Sequence, residues 1–291
     1  MNSKILRFLS ALSCGLMFAT SLPAQTPTVD FPAASPACTV KQRIGLTDIE
    51  VVYSRPGVKD RTVFGGIVPY GQVWRTGANN ATKITFSTPV KLNGTDIPAG
   101  TYALFTIPGA DEWTIIINKG AAQWGAFQYD EKADVTRFKV TPVQLAEQIE
   151  TFMIEFNDIR DESATLDLVW DHLVVPIKID IELTSKLVPQ IAAAMASPGK
   201  KSDGFYFQAA TFYYNHDQDL HKALDWVNAG LADKPGIAFE ILHLKAQILA
   251  KQGDKAGAIA AAKESNELAV KAEGPDNSFV KMNQDLISSL Q

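Results

Sequence analysis

The stretch "VVPIKIDIEL" (residues 174–183) decides the fold. Val175, Ile177, Ile179, Ile181 and Leu183 alternate with Lys178, Asp180 and Glu182, which is the period of a strand with one face in a core and the other in water. Immediately afterwards the period changes. "SKLVPQIAAAMAS" and the segments that follow it place apolar residues three and four apart, as amphipathic helices do. Near residue 184 the chain therefore passes from a β part to an α part.

Strand chemistry extends back from this stretch to Thr39. "DIEVVYS", "TKITFST", "TYALFTI", "WTIIINK", "TRFKVTP", "ETFMIEF" and "ATLDLVW" are all rich in β-branched and aromatic residues. "LNGT" (92–95) supplies Asn93 and Gly94, whose tolerance of positive φ suits a tight hairpin turn. Short helical turns fit only around "QWGAF" and "PVQLAEQ". About ten strands at roughly 8–14-residue intervals predict an antiparallel, jelly-roll-like β-sandwich over residues 36–184.

Residues 185–291 read as all-α. Ser202 or Asp203 and Asp219 are N-cap types, while Pro235-Gly236 and Gly253-Asp254 are breaks. Ala210 recurs as Ala246, 36 residues on, and Ala223 as Ala258, 35 residues on. With "AQILAKQGDKAGAIAAAKES" this reads as tetratricopeptide-like, since small residues at such offsets let helix pairs stack closely. The expected role is to support the β part or to dock a protein partner.

The N-terminus bears on compartment. Lys4 and Arg7 precede an apolar run from Phe8 to about Ala19 and a small-residue exit near Ala24, the pattern of a secretory signal peptide over residues 1–25. The chain is thus expected to be exported, to a periplasm or beyond. No other run approaches the ~18 apolar residues of a membrane span, so no transmembrane segment is expected in the mature chain. Cys14 leaves with the signal, and Cys38 alone cannot form an intrachain disulfide; it reads as a small buried residue near the first strand. The formal charge of -5 argues against nucleic acid as a partner.

One connection is too specialised for a turn. "YSRPGVKDRTVFGGIVPYGQVWRTGANNAT" (53–82) interleaves Arg55, Lys59, Arg61 and Arg75 with Tyr53, Tyr70 and Trp74. Arginine offers a planar fork of donors to carboxylate or phosphate, and aromatic faces suit sugar rings. Arg55, Arg61, Trp74, Arg75 and Asn79 are accordingly the candidate site for a small anionic or glycan-like ligand. A structural reading competes: Trp74 covers an open end of the sheets, Arg75 pairs with Asp48 or Glu50, and Asn79 satisfies buried backbone.

Several of these segments also carry a family resemblance. "SPACTVKQRIG", "YSRPGVKDR", "VPYGQVWRTGAN", "IPAGTYALFTIP", Trp113, Trp124-Gly125 and Tyr129-Asp130 run in the order of the domain-of-unknown-function 2911 family, an exported bacterial family that the chain resembles from about Ser35 to Leu183. The resemblance implies a β-sandwich and brings no reaction with it.

Reactive motifs are sparse. His172 is the only histidine of the β part, so no conventional metal site is expected, and His216, His221 and His243 read as ordinary tail residues. Neither G-x-S-x-G nor a phosphate-binding glycine motif occurs, and no cofactor is indicated. What stays open is an envelope hydrolase that pairs two carboxylates among Glu50, Asp130, Asp134, Glu155, Asp167 and Asp171.

Overall fold

The computed structural model describes residues 30–233 and 235–291. The expected signal peptide lies outside the described residues. Ten strands come first: β1 (Ala37–Ile44), β2 (Thr47–Ser54), β3 (Thr82–Phe86), β4 (Val90–Leu92), β5 (Thr95–Ile97), β6 (Gly100–Ile107), β7 (Trp113–Asn118), β8 (Asp134–Val140), β9 (Val143–Asn157) and β10 (Ser163–Ile181). They form two antiparallel sheets, one in the order β1-β2-β3-β6-β7-β8 and the other β5-β4-β10-β9. Both sheets feed one apolar cluster, with Ile49, Ile84, Leu104 and Ile115 from the first and Leu92, Phe152, Leu166 and Ile177 from the second.

The alternation at 175–183 is realised as read, with the five apolar residues buried and Lys178 and Glu182 exposed. β10 pairs with β9 as far as Val174 and with β4 from Ile179. Pro176, which has no N–H to give, falls between the two ladders. Asn93 and Gly94 take φ of +45° and +81° in the β4–β5 turn. One expectation fails: "PVQLAEQ" is not helical. Val143 and Gln144 pair with Val174 and Leu173, so the ladder to β10 overrides the helix preference of Leu145, Ala146 and Glu147.

β6 and β7 are apolar on both faces for a reason that positions the site. Their outward residues Ala103, Phe105 and Ile116 join Ala81 in a second cluster, covered by Val73, Ala126 and Tyr129. Val73 and the connection 119–133 thus cover the outer face of the six-stranded sheet.

Six helices follow: α1 (Thr184–Ala196), α2 (Asp203–Asn215), α3 (Leu220–Leu231), α4 (Ala238–Gln252), α5 (Lys255–Glu273) and α6 (Ser278–Leu290). Ser202 Oγ accepts from Phe205 N and Asp219 Oδ1 from His221 N, so both are N-caps. Ala210, Ala223, Ala246 and Ala258 are all fully buried between helices. Glu162, before β10, accepts from Leu183 N, Thr184 N and Thr184 Oγ1 at 3.2 Å each, which caps α1 with a carboxylate from the sheet region. None of the described helices is long and apolar enough to cross a membrane.

Candidate functional site

The loop "WRTGAN" is built around an inward-turned indole. Trp74 exchanges backbone hydrogen bonds with Thr106, N to O at 2.7 Å and O to N at 3.0 Å, and this bridge sends its ring into the core. There it meets Phe64, Trp113, Phe152 and Trp170, and its Nε1 donates to Gly77 O at 3.1 Å. Only 9% of Trp74 is exposed, so its face serves packing rather than a ligand.

Beyond Trp74 the backbone is held in unusual angles. Thr76 has φ of +53°, an outlier for a β-branched residue, and Asn79 has φ of +59°. Thr76 is fully buried, with its hydroxyl 3.2 Å from Thr106 Oγ1 and its carbonyl accepting from Thr82 Oγ1 at 2.6 Å. At Gly77 a Cβ would stand 2.9 Å from Ser54 O, so the chain passes β2 too closely for a side chain. Asn79 Nδ2 donates to Ser35 O and Ser54 Oγ. These contacts over-determine the strained turn and clasp it to the strand ends.

The arginines separate into two kinds. Arg55 Nε donates to Phe152 O at 3.0 Å, while Arg61 gives Nε to Val58 O and Nη2 to Gly57 O, so both brace local backbone. Arg75 is different. The structural reading would pair it with Asp48 or Glu50, but Asp48 holds Arg43 and Glu50 holds Lys41. Among the described residues no carboxylate lies within ion-pair reach of Arg75. Its Nε is sealed from solvent without a hydrogen-bond partner. Burial pulls its pKa below the ordinary arginine value, with no charged neighbour to offset it.

The end of that guanidinium lies against the second loop. Gly125 N donates to Asn79 O at 2.9 Å and Ala81 N to Gln123 O at 3.0 Å, which joins the loops side by side. A Cβ at Gly125, where φ is +64°, would lie 3.6 Å from Arg75 Nη1 and 2.9 Å from the Phe127 ring. Phe127 is 83% exposed and Trp124 59%. The loop's base is fixed by Asp134, which accepts from Asn118 Nδ2 at 2.6 Å, Tyr129 OH at 2.8 Å and Arg137 Nε. Burial first, then the bond to Asp134, pushes the Tyr129 pKa up to about 12.

The quoted motifs therefore meet in one place, and comparison with known proteins agrees with their order. Residues 35–179 match the family described as a protein of unknown function (DUF2911). That stretch belongs to the DUF2911 family. No curated protein and no solved structure matches the chain. The two facing loops and the aromatic core beneath them all fall inside the DUF2911 region.

Elsewhere in that region the alternative chemistries are scattered. Asp130 caps a single 3-10 turn, Asp171 accepts from Gln148, and Glu155 and Asp167 alone face each other as register partners, bridged by Asn157 Nδ2 at 3.1 and 2.8 Å. Burial raises the Asp167 pKa. Cys38 is half-buried on β1 against the core. His172 and the tail histidines share no cluster of three potential ligands among the described residues. A depression of about 550 Å³ at the β1–β2 edge is lined by Lys41, Arg43, Asp48 and Glu50, whose charges are already paired.

Sequence reading selected Arg75 but missed Phe127. "WG" and "YD" were visible as motifs, and the only signal for Phe127 was an aromatic in a glycine-containing loop.

Proposed function

We propose that this is an exported binding protein whose sheet region takes a small anionic or glycan-like ligand at Arg75. The observation that carries the reading is the half-buried guanidinium with no carboxylate partner among the described residues. Desolvating a cation without compensation costs stability, and an anion seated on the Nη end would offset that cost. Arg55, Arg61, Trp74 and Asn79 act in this account as the frame that holds Arg75 in place.

The frame is read as a two-layer β-sandwich, supported by the single core drawn from both sheets. Its jelly-roll-like element is one excursion, in which the chain leaves β3 for the β4–β5 hairpin in the other sheet and returns at β6. The tail is read as a tetratricopeptide-like support, on the strength of the buried alanines at repeat spacing. Export rests on the signal-like residues 1–25.

Isothermal titration of the mature chain with acetate, phosphate and glucuronate tests the site. At least one anion should bind saturably in wild type and at least tenfold more weakly in Arg75→Ala. Equal affinity in the two proteins would remove Arg75 from the site.

A hydrolase reading has one observation in its favour, the facing Glu155 and Asp167. It requires turnover that disappears in Asp167→Asn, measured on glycoside and ester substrates. Unchanged turnover in that variant rules the pair out.

A further inference from the structure

Exposure and packing are inverted at two aromatic residues of the facing loops. Trp74, the ring the loop composition offers for stacking, is committed to the core, whereas Phe127 is left in solvent although a large apolar side chain gains by burial. Phe127 does not drift free of the protein. Its ring edge lies against Gly125, at the same point where Arg75 Nη1 approaches, and the positive φ of Gly125 lets the backbone pass beneath both groups.

The ring and the cation therefore border one patch of surface, and the two have complementary needs. Arg75 lacks an anion, with Nε sealed and only the Nη end placed toward the patch. Phe127 lacks an apolar surface to cover it. Acetate or phosphate would serve the first and leave the second wet. A neutral ring would do the reverse.

We propose that the ligand of this site is a carboxylate borne on a ring with an apolar face, the carboxylate meeting Arg75 and the ring lying against Phe127. This rests on the anion-binding reading of Arg75 and narrows it to one ligand class. Two sources share that chemistry: aryl acids present a π-face, and sugar acids present the C–H face of a pyranose. The loop pairing Gly125 N to Asn79 O explains how the clasp serves this purpose, because it fixes the distance between the ring's loop and the cation's loop. The Asp134 network at the base of residues 119–133 limits how far Phe127 can move.

The test titrates the mature full chain with benzoate, glucuronate, acetate and benzyl alcohol, in wild type, Phe127→Ala and Arg75→Ala. Phe127 is so exposed that its removal leaves the fold intact, which circular dichroism and the unliganded Tm verify. The expected result is that benzoate or glucuronate binds wild type at least tenfold tighter than acetate, with benzyl alcohol weaker than both ring acids. Phe127→Ala should bring the preferred ring acid down to the acetate level, and Arg75→Ala should weaken every anion at least tenfold. Which ring acid leads assigns the source.

Acetate binding as tightly as both ring acids, with Phe127→Ala unchanged, overturns the inference while the anion reading stands. Anion binding as tight in Arg75→Ala as in wild type, or none in wild type, overturns both.

Discussion

The indole of Trp74 lies almost parallel to that of Trp170, with 5.8 Å between ring centroids and 18° between planes. One ring comes from a surface connection and the other from the long strand of the four-stranded sheet, so this stack ties the clasp to the far layer of the core. Trp113, Phe64 and Phe152 close around the pair edge-on. Offset and edge-to-face contacts of this kind add about 0.5–1.5 kcal/mol per pair beyond burial.

Trp74→Ala should therefore behave as a core substitution despite its loop position. Loss of a buried Trp costs about 3–5 kcal/mol. Urea unfolding followed by far-ultraviolet circular dichroism reads the shift in midpoint. A loss under about 1 kcal/mol would mean that the ring is not a structural element.

Two glycines give a matched comparison for the strained turn. Gly77 has φ of +151° and a blocked Cβ position, whereas Gly71 has φ of +72° and open space around it. Gly71→Ala bears only the strain of the left-handed backbone angle, roughly 1 kcal/mol. Gly77→Ala must also displace Ser54 O, and should cost more, on the order of 1–3 kcal/mol. Equal stability of the two variants would contradict the close approach to β2.

Asp167 supplies a pH dependence. Its pKa is raised by burial, so the folded chain holds this proton to a higher pH than the unfolded chain does. The group's contribution is then fully present below the ordinary aspartate pKa of about 3.9 and is lost as pH rises through the folded value. Asp167→Asn cannot ionise, and its amide oxygen can replace Asp167 Oδ2 as the acceptor for Asn157 Nδ2. Relative to wild type it should gain stability as pH rises above the unfolded value of about 3.9, and the gain should vanish in acid. A Tm difference that is constant across pH would show that Asp167 ionises as freely folded as unfolded.

Much of this architecture was legible in the residues. Alternation at Val175 to Leu183 marked a half-buried strand because a single-residue slip would turn every one of those side chains into water. Asn93-Gly94 and the caps Ser202 and Asp219 were legible because their chemistry is local. "PVQLAEQ" misled for the opposite reason, since Val143 and Gln144 find their partners in Val174 and Leu173 of β10, far along the chain, and local preference cannot report that pairing. Asn277, whose side chain accepts from Phe279 N at the start of α6, is a local cap of the same kind that the sequence reading did not single out.

At the site the limit was direction rather than composition. Trp74 and Phe127 are both aromatics in polar, glycine-containing loops, and nothing in their neighbours says which turns inward. The bridge from Trp74 to Thr106 and the positive φ at Gly125 make that choice, and both depend on contacts between distant segments. Arg75 was visible as a candidate, but its isolation was not, because only the fold reveals that Asp48 and Glu50 hold other cations.

The most direct test of the account is the stability of Arg75→Ala beside wild type by urea unfolding, each with and without a saturating anion from the titrations. Without ligand the variant should be as stable as wild type or more so, because the substitution removes a desolvated charge that has no protein partner. With ligand at about 100 times its Kd, wild type alone should gain about 2.7 kcal/mol. A large loss in the unliganded variant, with wild type indifferent to every anion, would contradict the account and make Arg75 one more part of the clasp.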